Sequence, residues 1–167
     1  MLLGMAASTL LATSATAEAQ APRGRVDASF GARLVGIDLS LRLDDRLVAS
    51  MGAGAGGARL GGPGGTGVAG DELGMRLGVD VYVAGEAFRG LWVRVETTTV
   101  VGRREVGQAD PAYATLLGSI LLGTTWTLPS GFGASAGIGA TRGRTLAGGR
   151  EQVTLDVTLR LTIGVAF

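Results

Sequence analysis

Ten charged residues stand out by type and spacing. Asp27, Asp38, Asp80, Glu96 and Asp156 carry carboxylates, and Arg33, Arg42, Arg76, Arg94 and Arg160 carry guanidiniums. Each is an isolated charge among uncharged neighbours. Paired carboxylates are the equipment of glycoside hydrolysis. Here, however, Asp80, Glu96 and Asp156 each have an arginine two or four residues away in the chain, namely Arg76, Arg94 and Arg160. Carboxylate and guanidinium at that spacing point to packed ion pairs instead.

Other chemistry is limited by what the chain lacks. It has no histidine and no cysteine, and all fifteen basic residues are arginine. Serine–histidine nucleophiles, thiol catalysis and histidine-based metal sites are therefore excluded. The stretch GGPGGTG has the glycine content of a phosphate loop but neither its lysine nor a helix to follow. A net charge of +1 gives no electrostatic footprint for nucleic acid. No cofactor or metal is called for, and no enzyme activity is expected.

The elements that hold these charges read as strands. In VDASFGARL the even positions Val26, Ala28, Phe30, Ala32 and Leu34 are apolar; in IDLSLRL the apolar set moves to Ile37, Leu39, Leu41 and Leu43. One strand cannot change faces without a turn or bulge, so a tight turn is expected near Val35 and Gly36. Asp44 and Asp45 form the next turn, and a third strand runs from Leu47 to Ala58 before the glycine-rich loop. ELGMRLGVDVYVAG puts Leu73, Met75, Leu77, Val79, Val81 and Val83 on one face, and Gly74, Arg76, Gly78, Asp80 and Tyr82 on the other. Leu91, Val93 and Val95 alternate with Trp92, Arg94 and Glu96. YATLLGSILLGTTWTL and GFGASAGIGATR supply two more strands. The closing stretch alternates from Val153 to Phe167. This makes eight strands in 167 residues, one domain.

The N-terminus MLLGMAASTLLATSATAEAQA has an apolar segment from Leu2 to Leu11 and small-x-small cleavage signals at Ala15–Ala17 and Ala17–Ala19. It reads as a cleaved secretory signal over residues 1–19, leaving a barrel domain over 20–167.

Which face is inside follows from where the charges stand. A soluble sandwich carries its charge outward. Here the polar face is mostly Gly, Ser and Thr around five acids and five arginines, a balance that suits an enclosed lumen. The apolar face carries almost no charge within the expected strands. A lipid-facing arginine at mid-bilayer would cost about 2–4 kcal/mol, so parity is constrained if lipid is the outer solvent. Only helices and closed barrels satisfy their backbone groups inside a bilayer. The expectation is an all-β, eight-stranded antiparallel transmembrane β-barrel, an up-and-down meander. The ten charged residues form its interior ion-pair network. Tyr82, Phe88, Trp92, Trp126, Phe132 and Phe167 all fall near the short turns and are expected in an interfacial aromatic girdle there.

With these features the chain resembles the small eight-stranded outer-membrane β-barrels of Gram-negative bacteria, the OmpA-transmembrane-like and OmpX-like group, over Arg25 to Phe167. The most specific feature is the final strand. In that group an alternating apolar strand with a terminal aromatic is what the barrel-assembly machinery reads, and Leu159, Leu161, Ile163, Val165 and Phe167 look like that signal. The resemblance implies export to the bacterial outer membrane, outer-membrane lipid as surroundings, and insertion by that machinery. The first two strands and the outer loops are short for the group. The implied role is structural, in envelope integrity, with a lumen filled by side chains. Two alternatives are a narrow channel or small apolar-ligand conduit, and a soluble lipocalin-like periplasmic binding barrel.

Overall fold

The computed structural model describes residues 21–31, 34–56, 72–103, 112–147 and 149–167. The expected signal segment, the glycine-rich loop and Arg33 lie outside them.

Eight strands follow in chain order: β1 (Gly24–Gly31), β2 (Val35–Asp44), β3 (Leu47–Gly56), β4 (Glu72–Glu86), β5 (Arg89–Arg103), β6 (Ala112–Thr127), β7 (Phe132–Ala147) and β8 (Arg150–Ala166). Each pairs antiparallel with the next and β8 pairs with β1, so the sheet closes as an up-and-down barrel. Closure removes the exposed sheet edges that an open meander of this length would leave. The closing ladder runs from Arg25↔Ala166 to Gly31↔Arg160. It continues past the strand ends, where the Phe167 amide donates to the Gly24 carbonyl at 2.8 Å and the Gly24 amide returns the bond at 2.9 Å.

The strands differ in length for a visible reason. β1 to β3 have 8–10 residues and β4 to β8 have 15–17. The wall is therefore low at the β1–β2 hairpin. The reversal there is also earlier than parity suggested. Val35 already pairs with Phe30, and the Gly31 amide donates to the Leu34 carbonyl at 3.0 Å, so the chain has reversed before Val35. Leu34, expected on the apolar face, is instead buried at 3% exposure beside Gly74. The change of parity between the two strands therefore falls between Phe30 and Val35, which pair on the same face. At the other end of the chain β7 continues five residues beyond Arg142, and the turn to β8 is correspondingly short.

Burial is inverted relative to a water-soluble domain. Ile37, Met75, Ile120 and Leu155 are 63–77% exposed on the outside. Arg25, Asp27, Asp38, Arg76, Asp80, Arg94, Glu96 and Arg160 are 2–7% exposed on the inside. The even–odd alternation along each strand sends the two sets to opposite faces of the wall. Short turns join β2–β3, β4–β5 and β6–β7 at the end where β1 begins and β8 finishes; we call this the terminal end, and its opposite the loop end.

Candidate functional site

The lumen holds three layers. At the terminal end is an apolar plug of Val48, Tyr82, Ala87, Phe88, Trp92 and Leu121. Trp92 is 1% exposed and donates its indole N–H to Thr125 Oγ1 at 2.9 Å; Tyr82 donates to the same oxygen at 3.3 Å. The ring of Trp92 lies over Gly123 and Gly137 on the two following strands, β6 and β7, where a β-carbon would run into it. The β4–β5 turn folds in beneath. Phe88 takes φ +66°, an uncommon conformation for a non-glycine residue, and is held by Thr127 Oγ1 donating to its carbonyl at 2.6 Å. The Ala87 amide donates to the Asp45 carbonyl at 2.7 Å, tying the β4–β5 and β2–β3 turns together.

The middle layer is ionic. Asp80 and Arg94, neighbours across β4 and β5, form a two-point pair, with Arg94 Nη2 on Asp80 Oδ2 at 2.6 Å. Arg94 also approaches Glu96 at 3.6 Å and stacks over Trp92, 5.2 Å from the ring centroid, which joins this layer to the plug. Arg160 of β8 crosses the lumen and donates to Glu96 of β5 and Asp38 of β2. Asp38 in turn lies 3.1 Å from Arg76, whose guanidinium also donates to Ser29 of β1. One chain of charges, Asp80–Arg94–Glu96–Arg160–Asp38–Arg76, thus links four strands that are not all adjacent. Low dielectric and alternating sign make such a cluster tight, and removing any one member leaves a buried charge unanswered. Arg76 Nε and Arg160 Nε are buried without an acceptor among the described residues.

Toward the loop end the lumen opens into a cavity of about 60 Å³ lined by Leu34, Thr98, Leu117, Ser119, Thr141 and Thr158, with Asp156 at its edge. Hydroxyls of adjacent strands bond one another here, Ser119 to Thr141 at 2.7 Å and Thr115 to Thr145 at 2.9 Å. At the rim Tyr113 donates to Glu72.

Of the ten charges expected inside, the structure brings six into the central network. Asp27 is buried nearby but pairs with Arg25 at 2.7 Å. Arg42 is half-buried and reaches Asp45 in the β2–β3 turn, away from the network. Asp156 faces the lumen by parity yet is exposed, with no ion pair among the described residues. Arg33 lies outside the described residues. Arg25, which sequence reading missed, shares the odd parity of Asp27 and Ser29, and extending the alternation one step back would have found it.

The aromatic girdle needs correction. Trp126, Phe132 and Phe167 are on the outside at the terminal end, 45–64% exposed. Tyr82, Phe88 and Trp92 are at the same end but inside, 1–3% exposed. Tyr82 and Trp92 share the inward parity of Asp80 and Arg94, and the hydroxyl and indole N–H find a partner there in Thr125, which the apolar outer face could not supply. Of the closing-strand residues, Leu159, Leu161, Ile163 and Val165 point outward at 47–62% exposure, and the Phe167 ring lies over Gly24.

No protein-family model matches the sequence, and no curated protein matches it. Among solved structures, the N-terminal β-barrel domain of Pseudomonas aeruginosa OprF is similar, with 12% identity, a TM-score of 0.50, and 84% of this chain and 96% of that chain covered. At that identity the likeness is one of fold, a β-barrel.

Proposed function

We propose that this chain is a non-enzymatic barrel of the bacterial outer membrane whose role is structural, in the integrity of the envelope. The observation that carries the reading is the inverted wall, with leucine, isoleucine and valine outside and a buried ion network inside. In water such a surface would drive association. In lipid it is the required surface, since the backbone of a closed barrel is fully paired and the outward side chains are apolar. The end with short turns is then periplasmic and the loop end extracellular. Residues 1–19 serve export, and the outward alternation from Leu159 to Phe167 is what the assembly machinery would read.

A filled lumen favours a structural role over a conduit. The aromatic plug and the ion network occupy the section of the lumen through which a solute would have to pass. Planar-bilayer recording tests this: no steady conductance is expected, and a reproducible open level would favour the channel reading. Heat-modifiable gel migration tests the barrel itself; the unboiled chain is expected to run faster than the boiled one. Recovery of the chain in the soluble periplasmic fraction would instead favour the lipocalin-like reading.

A further inference from the structure

Two arginines break the rule that charge stays inside. On β7 the outward residues are even-numbered, so Arg142 and Arg144 share the outer face with Phe132 and Ile138, and both are exposed. Away from strand ends, no other arginine among the described residues lies on the outer face. Their height is informative. Arg142 lies ten residues along β7 from Phe132. At about 3.3 Å per residue and a tilt of about 40°, that is about 25 Å, the height of the apolar band of an outer-membrane barrel. On this strand the uncharged outer face stops at Arg142.

The surroundings separate the two. Arg144 is answered: its Nε lies 2.8 Å from Glu151 Oε1, and its Nη2 donates to Oε2 at 2.9 Å. Arg142 has no such partner among the described residues. Its neighbours across the ladders are Leu155 on β8 and Gly118 on β6. Gly118 also faces outward, and a side chain placed there would meet nothing within 4 Å. The guanidinium therefore has open room on one side and an aliphatic side chain on the other.

An unpaired guanidinium at the edge of hydrocarbon is suited to one class of group. Phosphate oxygens accept from it in pairs, and the apolar neighbours accommodate the first carbons of an acyl chain. We infer that Arg142, between Gly118 and Leu155, binds the phosphate of a lipid in the outer leaflet. This rests on the membrane reading above. Because Glu151 neutralises Arg144, the site takes one phosphate at Arg142 and is not a general basic patch.

The test uses the full chain reconstituted in phosphatidylcholine vesicles, with and without lipid A. Thermal unfolding is followed by gel migration. Lipid A is expected to raise the midpoint of the natural chain. Arg142→Gln should lose at least half of that rise while keeping its midpoint in plain vesicles. Lipid A stripped of its phosphates should give no rise with the natural chain. The inference is overturned if R142Q responds to lipid A as the natural chain does, or if the stripped lipid works equally well. It is also overturned if inorganic phosphate with plain vesicles reproduces the rise, which would assign the effect to a free anion. Failure of the chain to float with vesicles of either composition would remove the membrane reading itself, a result distinct from insertion without an Arg142-dependent response.

Discussion

Arg160 and Glu96, 64 residues apart in sequence and three strands apart around the wall, are joined directly across the lumen. The same guanidinium also holds Asp38 on β2. A single residue of the last strand thus ties together the early and middle parts of the barrel, and the network depends on closure having occurred.

Removing that tie should be costly. Arg160→Met leaves Asp38 and Glu96 buried near each other with one cation fewer, and breaking a buried pair in this way costs about 3–5 kcal/mol. Urea unfolding in vesicles should show a loss of that order. The double change Arg160→Met with Glu96→Gln should recover part of it, because fewer uncompensated charges remain.

Asp156 provides the contrast. It has the same parity as Arg160 on the same strand, but is exposed and unpaired among the described residues. Asp156→Asn should leave the unfolding midpoint where it was, whereas Asp38→Asn, which faces two arginines, should lower it clearly. Equal effects would mean that the network extends to the cavity edge.

The plug can be probed as a matched pair. Trp92→Ala empties a fully buried site and should cost about 3–5 kcal/mol. It should also open a measurable conductance if the plug is what closes the lumen. Gly137→Ala drives a β-carbon into the Trp92 ring and should destabilise alone, yet be better tolerated in the Trp92→Ala background. Failure of that rescue would show that Gly137 is needed for something other than room.

Depth on the outer face separates lipid from water. On the membrane reading Leu161, six residues from Phe167, sits near mid-bilayer, and Leu155 sits at the level of Arg142. Leu161→Arg should cost about 2–4 kcal/mol in vesicles, and Leu155→Arg about 1 kcal/mol or less. Both side chains are exposed, at 57% and 77%, so for a water-soluble barrel neither change should matter.

Alternation alone determined the strand count, the antiparallel class and the faces of Asp38, Arg76, Asp80, Arg94, Glu96 and Arg160, because a strand of period two must send neighbours to opposite sides of its wall. The same signal was available for Tyr82 and Trp92, and their nearness to a turn obscured it. Tertiary structure decided the rest. Which inward charges meet depends on height around a closed, tilted barrel: Arg160 is level with Glu96 and Asp38, while Asp156, four residues further along, is not. Phe88 is in a turn and has no parity to read; only its left-handed backbone and the packing beneath Trp92 bring it inside. Arg142 and Arg144 stand outside because β7 keeps its register past the point where the apolar run ends. Parity is a local property of the chain; level and enclosure belong to the assembled wall.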